Sequence, residues 1–354
     1  MRRHDGPGPA RRRAAGDPPG VRLGRHDRGG ARGTVRTIDV HAHVFPPALA
    51  EAARAGDAPD GIRTERVDGQ EWVVHRQGYR YPLAPTFHDV EARLADMDAM
   101  GVDLAVLSPA PPLFLYWSDE GVDAARAVND AVAGMVAQAP ERFAGLATLP
   151  MSDPAAAVAE LRRCATLGLR GAQIGPHVEG TPLDDAALRP VLAAAQELRL
   201  PLTIHPYYVG STPGLDDFYL TNLQGNPWQT ALCASRLIFS GTLDALPELD
   251  LVLVHGGGHL PYQIGRLDHG RRVRPETQGC RELPSAYLRR FHYDTLTHSS
   301  AATGWLIDLV GADRVMYGTD MPFDMGGGPL EVADPDVAHR NAERLYALKE
   351  ESDE

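Results

Sequence analysis

The sequence predicts an α/β fold, a (β/α)8 TIM barrel with a small hairpin insertion after its first strand. Eight short apolar runs can be counted between residues 37 and 320. Helix-like segments separate most of them, a rhythm that implies parallel pairing through right-handed crossovers. The length of 354 residues suits one large barrel built on a single core. An open doubly wound sheet shares this rhythm, but its Gly-rich phosphate turn is missing: Gly256-Gly257-Gly258 is followed by Pro261 where the third motif glycine would stand.

Residues 1–36 hold ten Arg against three Asp, with Gly and Pro and almost no apolar periodicity. They cannot offset their ordering entropy and are expected to form a disordered basic extension, which places the barrel domain at 37–354. Strand one is 38–45. The connection 46–87 is longer than barrel loops usually are. Its stretches 71–75 and 79–83 around Gln77-Gly78 read as the hairpin insertion over the barrel mouth. Next come helix 88–100, strand 102–108, helix 122–137, strand 143–149, helix 154–167, strand 169–174, helix 186–198 and strand 201–205. The long connection 206–228, rich in Tyr, Gly and Asp, is read as another wall of the mouth, since long loops after barrel strands belong on the catalytic face. Strands 251–255, 291–295 and 315–318 complete the eight. Helix 301–309 lies between the last two, and a helical segment at 336–350 closes the outer ring.

Composition narrows the function. With 43% hydrophobic and 23% charged residues the chain can bury a proper core. Three cysteines, Cys164, Cys233 and Cys280, lie far apart in sequence, which argues against both a disulfide framework and a Cys-x-x-Cys knuckle. No stretch approaches 18 consecutive apolar residues, and no apolar segment follows the N-terminal Arg pairs; a soluble, cytoplasmic protein without membrane contact is expected. The net charge of −12 becomes −19 once the basic head is set aside, so the core should repel nucleic acid. The one lysine is Lys349, in the C-terminal tail, which removes Schiff bases and carbamylated-lysine metal bridges from the core.

Four polar groups fall at the C-terminal ends of strands: His41 and His43 on strand one, His205 ending strand five, and Asp320 just past strand eight. His41 and His43 are two apart and so share a face of the strand. Three imidazoles and a carboxylate suit one divalent metal of the zinc class with an open position. His255 ends strand six inside Val254-His255-Gly256-Gly257-Gly258-His259. It is placed to exchange a proton with the metal's water or the substrate, or to be a further ligand. His-Gly-Gly-Gly is also an esterase oxyanion pattern, but no Gly-x-Ser-x-Gly elbow exists in the chain.

The motifs Ile38-Asp39-Val40-His41-Ala42-His43-Val44-Phe45-Pro46, Ile204-His205-Pro206, His255-Gly256-Gly257-Gly258 with Gly265-Arg266, and Tyr317-Gly318-Thr319-Asp320-Met321-Pro322-Phe323 resemble the amidohydrolase-superfamily decarboxylases, the family of aminocarboxymuconate-semialdehyde decarboxylase. The resemblance runs from about Thr37 to Leu348. It implies a barrel with one divalent metal, zinc usually and manganese in some cases, on His41, His43, His205 and Asp320, with His255 as the acid/base that activates water. It further implies that Arg80, on the insertion, and Arg266, supplied across a homodimer interface, bind substrate carboxylates by bidentate pairing. Phe218 stands where the family has an aromatic residue, with tryptophan expected. No organic cofactor is implied. The expected activity is non-oxidative decarboxylation of a small muconate-semialdehyde-like or aromatic acid. Hydrolysis of a small amide or lactone, and a non-catalytic metal-binding barrel, are the alternatives.

Overall fold

The structure is a computed structural model that describes residues 35–207 and 212–348. The expected disordered extension therefore lies, up to residue 34, outside the described residues, and the expected tail beyond 348 does too. Strand β1 (Ile38–Val44) is followed by three short strands, β2 (Arg63–Val67), β3 (Gln70–Val74) and β4 (Arg80–Pro82). Then come β5 (Leu104–Pro109), β6 (Phe143–Gly145), β7 (Ala172–Ile174) and a small ribbon, β8 (His177–Val178) with β9 (Thr181–Pro182). The last four are β10 (Leu202–Ile204), β11 (Leu251–Leu253), β12 (Phe291–Asp294) and β13 (Val315–Met316).

Eight of these strands pair in parallel, one in each of the eight apolar runs, with β5 ending one residue past its run. They form two sheets, β1-β5-β6 and β13-β12-β11-β10-β7, rather than one continuous ring. Isolated bridges, Ala42 to Met321 and Ala147 to Ala172, lie at the two seams. The crossovers include helices Val90–Met100, Gly121–Val136, Pro154–Thr166, Arg189–Leu198 and Ser300–Val310. Local chemistry sets their starts: Asp89, Asp153 and Ser299 each accept hydrogen bonds from first-turn amides, and Pro154 follows Asp153 at the position where a missing N–H costs nothing. Two long helices, Asn226–Phe239 and Leu260–Val273, fill stretches to which the sequence pattern assigns no element. The segment read as helix 336–350 is a π-type turn, Asp336–Arg340, running into a short helix, Asn341–Leu345.

One irregularity places the functional end of β1. Ile38 and Val40 share a buried cluster with Leu104, Val106, Leu146, Val252 and Met316, drawn from strands around the barrel interior. A strict period of two would then turn His41 and His43 away from that interior. The register of β1 against β5 shifts between Asp39 and Ala42, and a bulge exchanges the faces. Ile38 and Val40 therefore point inward below, and His41 and His43 point inward above.

Between β1 and β5, β3 pairs antiparallel with β4, and β2 adds to the other edge of β3. The region read as a two-stranded hairpin is thus a three-stranded meander. Tyr81 of β4 packs on Phe87 and on Phe323, with ring centroids 5.4 Å apart in each case. All three cysteines are free and buried. Among the described residues no helix is long and apolar enough to cross a membrane.

Candidate metal centre

His41, His43, His205 and Asp320 converge at the mouth end of the parallel strands. One ligand-capable atom from each lies within 4.8 Å of all the others, and all four residues are buried. The Nε2 atoms of His41 and His43 are 3.1 Å apart. Asp320 Oδ1 is 2.9 Å from His43 Nε2, 3.4 Å from His41 Nε2 and 4.0 Å from His205 Nε2. Two ligands of a tetrahedral metal, each ~2 Å from it, sit about 3.3 Å from one another, so the spacing is that of a coordination shell. The hydrogen bonding says the same. Asp320 Oδ1 and His205 Nε2 are buried without a hydrogen-bond partner, a state that costs free energy unless something else meets those lone pairs.

Each imidazole is fixed through its other nitrogen, which is how metal-binding histidines are oriented. Nδ1 of His41 is 2.7 Å from Asp294 Oδ2, and Nδ1 of His205 is 2.6 Å from the Pro206 carbonyl. Nδ1 of His43 meets the Ser108 hydroxyl at 3.1 Å. Burial pushes His43 down to about 4 and His205 down to about 3, so both present neutral rings. Burial would also lower His41, but the charges of Asp320 and Asp294 outweigh it and raise His41 to about 10. Burial works to raise the Asp320 carboxyl; His41 and the other imidazoles prevail and hold it well below the usual carboxylate range.

His255 stands just outside this set. Its Nε2 is 3.7 Å from Asp320 Oδ2, and its Nδ1 has no hydrogen-bond partner. Its backbone is left-handed, with φ of 56°. A cavity of about 430 Å³ opens beside it, lined by His255, Asp320, Asn222, His259, Tyr262 and Trp305 among others. On the opposite flank Phe323 packs on His43, with centroids 5.3 Å apart, and so links that histidine to Tyr81 of the insertion.

Residues 38–348 match the sequence pattern of the Amidohydrolase family. The chain belongs to this amidohydrolase family. A 2-amino-3-carboxymuconate-6-semialdehyde decarboxylase from Dictyostelium discoideum is 33% identical to it over 313 residues, covering 82% of each chain. A gamma-resorcylate decarboxylase from Rhizobium radiobacter is 34% identical over 292 residues, covering 73% of this chain and 87% of its own. Among solved structures, 5-carboxyvanillate decarboxylase from Novosphingobium aromaticivorans, complexed with manganese and 4-hydroxy-3-methoxy-5-nitrobenzoic acid, superposes with a TM-score of 0.71 at 25% identity. It covers 88% of this chain and 96% of its own. Family and fold likeness together give this amidohydrolase-family chain the TIM-barrel fold.

The remaining candidate residues lie apart from the cluster. Arg80 sits on β4 with its guanidinium 5.2 Å over the Trp72 ring and 3.5 Å from Glu65. Arg266 is exposed on helix Leu260–Val273. Phe218 is 86% exposed, in a left-handed conformation, on the loop after β10. Sequence reasoning missed three buried charged residues around the histidines. Asp39 accepts from the His41 amide at 3.0 Å and from the Thr319 hydroxyl at 2.6 Å, and burial pushes its carboxyl up to about 6. Arg93 donates to the His43 carbonyl. Asp294 ends β12 and accepts from His41. The sequence pattern ran this strand on to residue 295, so Asp294 did not stand at its end as Asp320 does.

Proposed function

We propose that this chain is a metal-dependent, non-oxidative decarboxylase, a carbon–carbon lyase acting on a small muconate-semialdehyde-like or aromatic acid. The observation that carries the reading is the buried His-His-His-Asp set with His255 beside it, facing a cavity, in a chain whose relatives at a third identity are named decarboxylases. His41, His43, His205 and Asp320 would hold one divalent ion. Zinc suits three imidazoles and a carboxylate, and manganese is what the 5-carboxyvanillate decarboxylase holds. When bound, the ion supplies a Lewis acid at the cavity floor.

The chain's own groups account for the rest. Decarboxylation breaks the bond between the carboxylate and its carbon; the electron pair stays on that carbon, which takes up a proton as carbon dioxide leaves. His255 carries that proton at Nε2, which stands 3.7 Å from Asp320 Oδ2. Arg80 and Arg266 hold substrate carboxylate, Arg266 from the neighbouring subunit of a homodimer. Arg266 is exposed on its helix, which suits that reading. The meander β2-β3-β4 and Phe218 border the mouth, and the enzyme works in the cytoplasm.

The test is incubation of the metal-loaded protein with 2-amino-3-carboxymuconate 6-semialdehyde and a panel of hydroxybenzoic acids, measuring carbon dioxide. One equivalent released per acid consumed is expected. Turnover of amides or lactones with no carbon dioxide from any acid would replace the decarboxylase with a hydrolase.

A further inference from the structure

Asp294 is fully buried, and its two oxygens take four N–H groups. Oδ2 accepts from His41 Nδ1 at 2.7 Å and from the His255 amide at 3.0 Å. Oδ1 accepts from the Gly256 amide at 2.7 Å and the Leu296 amide at 3.2 Å. His255 and Gly256 are both left-handed, with φ of 56° and 60°, a conformation uncommon for a residue with a Cβ and one that its surroundings help to hold. Two successive amides turned toward one carboxylate form an anion-binding nest. The same carboxylate therefore fixes which nitrogen of His41 faces the cluster and holds the turn that aims His255 at it. Gly318 makes the approach possible: a Cβ there would lie 2.8 Å from the Asp294 Cβ and 2.9 Å from the His41 Cβ.

We infer that Asp294 is a positioning residue that ties the metal ligand His41 and the proton-carrying residue His255 to one another through a single carboxylate. The His41 half stands on geometry alone, whereas the His255 half rests on the decarboxylase reading. Asparagine is nearly isosteric but replaces one acceptor oxygen with an NH2 donor. At least one of the four N–H groups would then face a donor, so Asp294→Asn tests the link without opening a cavity.

The experiment uses the full chain, stripped with a chelator and reloaded with cobalt(II) alone. Affinity is read from the cobalt absorption bands under chelator competition, and amide hydrogen exchange at His255 and Gly256 is followed in the metal-free protein. Asp294→Asn is expected to weaken cobalt binding by about 10–100-fold, the usual effect of losing an outer-shell partner, and to speed exchange at both amides. At saturating metal it should lower kcat while KM stays within about twofold. Cobalt affinity within about twofold of wild type in a variant of unchanged Tm would overturn the inference. So would weakened cobalt binding with unchanged exchange at His255 and Gly256, which would separate the two halves. If Asp294→Asn does not fold, Gly318→Ala serves, since it forces Asp294 and His41 apart while keeping the carboxylate. The same pattern is expected, and a folded Gly318→Ala protein with unaltered affinity and exchange refutes the link. Altered cobalt affinity and exchange in proteins that decarboxylate no acid would sink the decarboxylase reading and leave the positioning role standing.

Discussion

Replacing His255 by asparagine separates a proton-transfer group from a metal ligand. Asparagine is the informative substitution because it tolerates the left-handed backbone, φ of 56° at His255, better than alanine does. The change removes the imidazole whose Nε2 stands 3.7 Å from Asp320 Oδ2, and it breaks no hydrogen bond at Nδ1, which has no partner. The four remaining donors stay within 4.8 Å of one another, so metal content should be unchanged. A positioned acid or base contributes about 10²–10⁴-fold, which corresponds to about 2.7–5.4 kcal/mol of transition-state stabilisation. Turnover should fall by that factor. The assay pairs elemental analysis of the desalted protein with carbon dioxide release at saturating substrate. Metal and activity falling in parallel would make His255 a ligand, and full activity with full metal would deny it any role in moving protons.

The cluster should bind one divalent ion per chain, and His41→Ala combined with His43→Ala should abolish uptake; two equivalents per chain by elemental analysis would refute the mononuclear site. In the metal-free protein His41, raised to about 10, carries a proton at neutral pH that a metal must displace, so affinity should rise by up to about tenfold per pH unit from 7 toward 10. Chelator competition across pH measures this, and a flat profile counts against it. Mixing inactive Arg266→Ala chains with inactive His255→Asn chains should regenerate activity through hybrid dimers; no recovery despite demonstrated subunit exchange would sink the shared site. Arg36 pairs with the buried Glu343 at 2.7 Å, while His339 also meets that carboxylate at 3.0 Å. Arg36→Ala should therefore cost about 1–3 kcal/mol rather than the full penalty of an unpaired buried charge, seen as a lower Tm.

The elements legible in the sequence were those whose signal is local. Each of the eight apolar runs holds a parallel strand, and the strand-end positions of His41, His43, His205 and Asp320 marked the one cluster able to hold a metal among the described residues. Asp294 escaped because what distinguishes it is its partners, 253 and 39 residues away; in sequence it is one carboxylate after Phe291-His292-Tyr293. The bulge in β1 escaped for a related reason. Both faces of that strand are buried, and Ile38-Asp39-Val40-His41-Ala42-His43-Val44 alternates apolar and polar without a break, so nothing in the pattern marks where the faces exchange. The pairing of Arg36 with Glu343, 307 residues away, was likewise out of reach of any local signal.

The edge-to-face rings of Tyr81, Phe323 and His43 bear on how this fold can diversify. The meander β2-β3-β4 looks like a cassette that could be exchanged to change what enters the mouth. Its Tyr81 ring, however, rests on Phe323, and Phe323 rests on His43 of the candidate metal cluster. A graft that brings a foreign meander without a matching partner for position 323 would loosen the ring beneath it and disturb His43. Swapping specificity between relatives therefore means moving two distant segments of chain together, and drift in one constrains drift in the other.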